Sequence, residues 1–190
     1  MTSPPPNAEP TPAQACRQEL LESFGRPQRR SDLRVLVERL EQLQPADLER
    51  DGALLQGVWE LLWSSSTQPW LREAPWLENL QVLDPEAGRA MNLLRLRGPL
   101  GMVAAITVVA AIERQGRQRV GVRFERGGWI GPPLGSWRPE LLTRVQQPLP
   151  AWLDITVLDD ELRICRGNAG TVFALRRRRD LRPEDLLPAA

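Results

Sequence analysis

The sequence predicts a mainly β protein in which an antiparallel sheet of about eight strands follows two N-terminal α-helices. The strongest observation lies in residues 150–175, where apolar and polar residues alternate with the period of two that is typical of half-buried strands. Turn-forming residues separate further segments of this kind, whereas the apolar residues before residue 45 recur at helical spacing. With 190 residues, 42% of them apolar and 26% charged, the chain suits one domain with a hydrophobic core.

The N-terminal region is predicted to be first disordered and then helical. Residues 1–10 are rich in proline and are expected to be disordered. Residues 11–52 are expected to form a helical segment packed on the sheet, with one helix over 13–24 and a second from an N-cap at Ser31 to Gln44. The second helix carries an apolar stripe formed by Leu33, Leu36, Val37, Leu40 and Leu43.

The first strand begins with a glycine, any residue and a tryptophan, at Gly57 and Trp59. Lipocalins use this arrangement, in which the glycine permits a tight turn and the indole fills the closed end of a barrel. A basic side chain from a late strand commonly stacks on that tryptophan, and Arg163 or Arg166 is the candidate here. This resemblance to lipocalins implies a lipocalin-like antiparallel β-barrel, which we expect over residues 53–179, although Trp59 is also consistent with a core residue that touches no ligand.

The central strands are predicted from one hairpin and one long apolar run. Residues 79–83 and 90–96 flank the turn-forming residues 84–88. Residues 102–112 could form a buried helix, but their Val, Ile and Thr content favours a strand that is buried on both faces. Small side chains in this run, Ala104 and Ala110 among them, would leave volume inside a barrel. A further strand is predicted over 119–124.

Two tryptophan-bearing segments are predicted to be loops. Residues 127–150 break the strand rhythm, with a short helix possible at 140–145, and we expect them to form a flap across one mouth of the barrel. The second loop covers residues 70–77. Such loops suit contact with lipid, but they could equally cap the core and touch nothing else. The arginines at 176–179 pose the same choice between anionic lipid headgroups and a solvated strand end, and residues 180–190 form a tail.

The last three strands form a predicted meander. Leu153, Ile155 and Val157 share one face of its first strand. A polar turn of Asp159, Asp160 and Glu161 follows, and residues 167–170 supply a second tight turn. Between these turns, alternation places Leu162, Ile164 and Arg166 on one face and Arg163 and Cys165 on the other.

This meander resembles the C-terminal signature of the plastid lipid-associated protein family, also called PAP or fibrillin. The departures from its pattern are Ile155, Val157 and Cys165. Residues 55–65 resemble its first strand, with Trp63 where a tyrosine is usual, and residues 40–45 resemble the end of the preceding helix. The chain is similar to a cyanobacterial-type member. The matches in the meander are Leu153, Asp154, Thr156, Leu158, Asp159, Asp160, Leu162, Arg163, Ile164, Arg166, Gly167, Asn168, Gly170 and Phe173.

Composition excludes several classes of chemistry. The chain has no histidine and no tyrosine, which rules out Ser-His-Asp or Cys-His nucleophiles and imidazole metal sites. A net charge of +1 argues against a nucleic-acid partner. Cys16 and Cys165 are expected to be unpaired thiols in a reducing compartment. No window is long and apolar enough to span a membrane, and residues 1–10 lack the features of a secretory signal or transit peptide, so we expect a cytoplasmic protein peripheral to the thylakoid membrane.

The resemblance implies a non-enzymatic protein, without cofactor or metal, that binds or organises lipids, carotenoids or prenylquinones at photosynthetic membranes. Polar groups that could give specificity are Asp154, Thr156 and Arg163. The alternative is an adaptor that binds an enzyme of isoprenoid or quinone synthesis and uses the barrel as a scaffold. Catalysis by the carboxylates of residues 159–161 is not expected, because acidic residues ordinarily occupy solvated turns. The apolar candidates for the ligand pocket are Trp63, Ala104, Ala110, Phe124, Trp129 and Trp137.

Overall fold

A computed structural model describes most of the chain. The described residues are 9–24, 26, 30–68, 75–98, 105–132, 134, 138–146 and 150–188. The chain divides into two compact units, residues 1–45 and 46–190. The predictions for the tryptophan loop over 70–74, for Ala104 and Trp137, and for disorder over 1–8 lie outside the described residues.

The first unit contains two helices that contact each other, α1 (Pro12–Ser23) and α2 (Arg30–Leu43). Thr11 and Gln14 form a capping box at the start of α1, since each side chain accepts a hydrogen bond from the other's backbone N–H. The predicted N-cap at Ser31 is wrong, because α2 already includes this residue and its hydroxyl donates instead to Asp32. That the helical segment packs on the sheet stays a prediction.

In the residues that the structure describes, the second unit is built on nine antiparallel strands, eight of which close into a ring. Around the ring each strand pairs with its neighbours in the order β1-β2-β3-β4-β5-β7-β8-β9, and β9 pairs with β1. β6 pairs with the far half of β5 and lies outside the ring. The predicted barrel of about eight strands is thus confirmed. The strands are β1 (Gly57–Ser64), β2 (Leu77–Asp84), β3 (Arg89–Leu96), β4 (Ala105–Gln115), β5 (Arg119–Ile130), β6 (Glu140–Arg144), β7 (Ala151–Leu158), β8 (Leu162–Gly167) and β9 (Val172–Arg177).

The prediction that the strand rhythm breaks at residue 127 is wrong, and so is the possible helix at 140–145. β5 continues to Ile130, and residues 140–144 form β6 beside it. Glycine explains this pairing, because a Cβ atom at Gly128 would collide with the backbone carbonyl of Leu141. Two glycines in a row therefore let the sixth strand approach closely, a use of glycine that resembles a chain break when only the sequence is read.

The strand register separates an inner from an outer face of the ring. One apolar cluster unites Trp59 of β1, Val120 of β5 and Ile155 of β7, strands that are far apart in the ring, so these side chains point inward. A second cluster lies on the opposite face of β1 to β5 and includes Leu186 of the short helix α4 (Pro183–Leu186). The alternation therefore places Leu94, Ile106 and Trp129 with the inner residues.

A bulge in β7 overturns one predicted face. The register shifts between Ile155 and Val157, so that Ile155 pairs with Cys165 but Val157 pairs with Ile164. Val157 therefore lies on the outer face rather than beside Ile155, because one extra residue reverses the alternation beyond it.

The outer face also carries a network of buried charges. Glu60 and Glu78 are both buried on this face. Arg178 donates to both carboxylates at 3.2 and 2.7 Å, and Arg97 and Arg95 add bonds of 2.6 and 2.7 Å to Glu60 and Glu78 respectively. Burial alone would raise the pKa of Glu78, but the hydrogen bonds from Arg178 and Arg95 outweigh it, and the pKa lies below its usual value.

Candidate functional site

One end of the ring is closed by residues 46–55, which form the short helix α3 (Leu48–Asp51) and a 3₁₀ turn (Gly52–Leu55). The segment is held by backbone hydrogen bonds, from the N–H of Ala46 to Thr156 at 2.9 Å and from the N–H of Leu48 to Arg117 at 2.7 Å. Ala46, Leu48 and Leu55 are buried in the inner cluster. This end of the interior is therefore filled by the protein's own side chains.

Trp59 is the centre of the closed end. It is completely buried, and its indole N–H donates to the carbonyl of Leu55 at 2.9 Å. Two guanidinium groups lie over its ring, Arg163 at 5.0 Å and Arg177 at 4.3 Å from the centroid. Cation-π contacts of this kind stabilise by about 2 kcal/mol when they are shielded from water. The predicted stacking of a late-strand arginine on Trp59 is observed for Arg163.

Arg177 is a second arginine at the closed end that was not predicted from the sequence. Its guanidinium donates to three backbone carbonyls, those of Gln56 at 2.6 Å, Asp160 at 2.8 Å and Leu54. It thereby ties the last strand to the segment that closes the ring. The sequence does contain a signal for this position, because strict alternation from Phe173 through β9 places residue 177 on the inner face.

Arg163 is the second buried cation. Its Nη2 donates to the side-chain oxygen of Gln81, while Nε and Nη1 have no hydrogen-bond partner among the described residues. Burial, and then the nearby charge of Arg177, lower the pKa of Arg163 to about 10, so the group remains a cation at neutral pH. Arg163 was predicted both as a stacking residue and as a polar ligand contact; the stacking is observed, and the ligand contact stays a prediction.

The other end of the ring exposes apolar side chains on the inner face. Leu94, Ile106, Trp129 and Leu141 are direct neighbours across β3, β4, β5 and β6, and they form a continuous row that we call the apolar row. Ile106 is 63% exposed, Trp129 37% and Leu141 71%. These are core-type side chains that are exposed to solvent in the described part of the structure, which makes the row a candidate binding surface.

Smaller side chains lie between the two ends. Ala110 is paired with Ala90 and with Phe124, and all three point inward. Inward-facing alanines occupy less space than larger residues would, and a role of Ala110 in a pocket stays a prediction. Ala110, Phe124 and Trp129 lie on the inner face of two paired strands, β4 and β5.

Several predicted ligand residues lie elsewhere. Trp63 is buried on the outer face opposite Ala174, beyond a bulge in β1. Asp154 also faces outward, where it forms a two-bond ion pair with Arg119 at 2.7 and 2.9 Å. Arg166 is paired with Asp154, which places it on the outer face and away from Trp59.

Thr156 and the acidic turn are occupied by local structure. Thr156 is the bulge residue of β7, and its hydroxyl donates to the carbonyl of Ile164 at 3.3 Å. The carboxylate of Asp159 accepts from the N–H groups of Glu161 and Leu162 at 2.8 and 2.7 Å, and Asp160 pairs with Arg179. These contacts give the acidic residues a structural role in the turn.

Two features are absent from the described residues. None of the helices there combines the length and the apolar character needed to cross a bilayer. In the same ranges, no three Cys, Asp or Glu side chains gather into a group suited to holding a metal ion.

In the described residues, the fold and the site define a small antiparallel ring of eight strands that is closed at one end by Trp59 with its arginines and carries an exposed apolar row at the other. The family model PAP_fibrillin matches residues 23–176, and the chain belongs to this family of plastid lipid-associated proteins. Similar proteins are the chloroplastic light-induced proteins of Solanum tuberosum and Solanum demissum, each 29% identical over 198 aligned positions. The alignments cover 77% of this chain, and the chain spans 59% of the length of each relative.

Proposed function

We propose that the chain binds a lipophilic small molecule, a lipid, carotenoid or prenylquinone, at the open end of the ring, and that it does so without catalysing a reaction. The single observation that carries the proposal is the apolar row, in which Ile106, Trp129 and Leu141 lie on the inner face of the sheet and yet are exposed. Membership in a family of lipid-associated proteins supports the same function.

The energetics of the row favour a ligand. Covering one aliphatic side chain of this size stabilises by about 1.5–3 kcal/mol, and a tryptophan offers still more area. Ile106 and Leu141 alone could therefore contribute several kcal/mol to the binding of an apolar chain. Eight-stranded rings have an interior that side chains can fill or that can hold one small ligand. Here the closed half is filled, so a ligand belongs in the open half.

The place of action is proposed to be the surface of a photosynthetic membrane. Two curated relatives are chloroplastic by name. A peripheral position at a membrane would bring the exposed row close to a source of lipophilic molecules, and the amphipathic Trp129 is a side chain favoured at such interfaces.

Titration with a lipophilic quencher tests the proposal. We expect decylubiquinone or a brominated lipid to quench tryptophan fluorescence saturably, and Ile106→Glu to weaken binding at least about tenfold by placing a charge in the row. Val35→Glu is the matched control, because Val35 is also aliphatic and 63% exposed but lies on α2. Organic extracts of the protein isolated from a photosynthetic host should contain a quinone, pigment or lipid. No quenching and an empty extract would refute the proposal.

A second candidate function, as an adaptor for an enzyme of isoprenoid or quinone synthesis, is favoured by a different observation. β6 stands at the end of the strand order and, within the described chain, pairs only with β5. An edge strand offers backbone N–H and C=O groups to which a partner can add a strand. Co-purification of one stoichiometric protein without extractable lipid would favour the adaptor, and loss of that protein on Thr143→Pro would locate it at β6.

A further inference from the structure

Arg163 is a buried cation that lies across the inside of the ring. Its backbone belongs to β8, but its Nη2 reaches the side chain of Gln81 in β2, with β9 and β1 between these strands. The guanidinium therefore lies in the interior and not along the wall. It is fully buried, and in the described part of the chain no carboxylate forms an ion pair with it.

Two of its nitrogens are unused as donors. Nε and Nη1, which carry three N–H groups, have no hydrogen-bond partner among the residues that the structure describes. A buried charged donor that lacks an acceptor destabilises a fold by more than a neutral group does, and buried charges are ordinarily paired. The contact with Trp59 offsets part of the charge, but a ring face cannot accept the in-plane N–H groups at the edge of a guanidinium.

Arg177 provides an internal comparison. It stacks on the same tryptophan, yet all three of its nitrogens donate to backbone carbonyls. The two arginines thus share one structural contact and differ in the state of their donors. The contacts of Arg177 with Trp59 and with the backbone use all of its nitrogens, so a structural role explains this residue. The same role does not explain why two nitrogens of Arg163 donate to nothing in the described residues.

A line of polar side chains leads from the open end towards Arg163. Gln81 is paired in register with Asn92, and both point to the inner face. Asn92 is exposed and Gln81 is partly exposed. Beyond Asn92, the inner positions of β3 and β4 continue into the apolar row at Leu94 and Ile106. Polar groups near the closed end and apolar groups in the apolar row are complementary to a molecule with one polar end and one apolar chain.

We infer that Arg163 anchors the anionic head of a single-chain amphiphile, a carboxylate or phosphate, whose apolar tail lies on the apolar row. The head takes the place of the Gln81 side chain and accepts hydrogen bonds from the guanidinium edge, which is suited to two parallel bonds with such oxygens. The inference rests on the proposed function and deepens it by naming the chemistry of the ligand's head.

The experiment compares two probes that differ only in the head, 11-bromoundecanoic acid and 11-bromoundecanol. Their bromine atoms quench tryptophan, and at a pH of about 8 the acid is ionised. We expect the full chain to bind the acid at least about tenfold more tightly than the alcohol, because a charge-assisted bond to a buried guanidinium is available only to the acid. Competition by laurate and by dodecyl phosphate then distinguishes a carboxylate from a phosphate source.

Three variants assign the preference to Arg163. Arg163→Met should bind acid and alcohol equally, while Arg177→Gln, which loses the same stacking contact, should retain the preference for the acid. Gln81→Glu keeps Arg163 and nearly the same side-chain shape, but it supplies an internal carboxylate to the guanidinium. It should therefore abolish the preference even if the Met variant does not fold.

The outcomes separate this inference from the proposed function. Equal binding of acid and alcohol by the unmodified chain would overturn the anchor and leave the lipophilic site intact. A preference for the acid that survives Gln81→Glu would overturn it as well. If neither probe binds, the proposed function fails, and the anchor fails with it.

Discussion

The two ends of the ring are made of similar apolar residues but are used in opposite ways. At the closed end, Trp59 is completely buried beneath residues 46–55 and held by two arginines. At the open end, the equally apolar side chains of Ile106, Trp129 and Leu141 are exposed to solvent. Buried side chains stabilise the fold, whereas exposed ones of this kind contribute to it little and are available for binding.

The residues that stabilise the fold and the residues proposed to bind ligand therefore lie at opposite ends of the strands. A strand such as β5 contributes Val120 to the packed core near its start and Trp129 to the open surface near its end. Mutations at the two ends should therefore affect different measurements. Those at the closed end should change the free energy of unfolding, and those at the open end should change ligand binding.

The largest effect is expected for Trp59→Ala. Removing a buried aromatic side chain costs about 3–5 kcal/mol, and here the hydrogen bond to Leu55 is lost as well. The free energy of unfolding in urea measures this. Trp76→Ala is the matched control, since Trp76 is 66% exposed, and it should change stability by no more than about 0.5 kcal/mol. Similar losses for the two variants would contradict the division into a packed and an open end.

The second-largest loss in the free energy of unfolding, about 2–3 kcal/mol, is expected for Arg177→Gln, because three backbone carbonyls lose a charged donor at once. The neighbouring Arg176 is exposed on the outer face, so Arg176→Gln controls for the change in net charge and should be nearly neutral. Hydrogen exchange provides a second measurement. The amides of residues 46–56 should lose protection in the Arg177 variant and keep it in the Arg176 variant.

The sequence predicts this division only in part. Alternation and turn residues locate the hairpins and the final meander, because those signals are local. The face of the sheet on which each side chain lies is not determined by these local signals. One bulge residue, Thr156, moves Val157 to the outer face, and a second bulge in β1 does the same to Trp63. A period of two cannot reveal an inserted residue.

The candidate site was harder to predict because it depends on the register between strands. The apolar row exists only because β3, β4, β5 and β6 align four residues that are distant in sequence. Trp129 was identified from its residue type, but Ile106 and Leu141 look like ordinary core residues in the sequence. Gln81 was missed because its contact with Arg163 spans the ring, between strands that are far apart in the chain. Neither the register nor a contact of this kind is explicit in a single sequence.

A third prediction concerns the outer face, where charges as well as apolar packing hold the strands. Glu78→Gln should cost about 1–2 kcal/mol at pH 7, because the neutral amide pairs less well with Arg95 and Arg178. Since the pKa of Glu78 is lowered in the fold, its extra stability is present above the usual value of 4.5 and is lost as the pH falls below it. The difference between the two proteins should therefore shrink towards pH 3. A difference that is constant from pH 7 to pH 3 would rule out the ion pairs as its cause.

The smallest change in stability is expected where the binding argument predicts the clearest functional loss. Leu141 is 71% exposed on a strand outside the ring, so Leu141→Thr removes little buried area and keeps a residue suited to strands. Its free energy of unfolding should stay within about 0.5 kcal/mol of the original, while the affinity for an apolar ligand should fall several-fold. Urea unfolding and tryptophan quenching on the same preparation measure the two quantities. If stability fell by 2 kcal/mol with binding intact, Leu141 would be a core residue, and the contrast between the two ends would be lost.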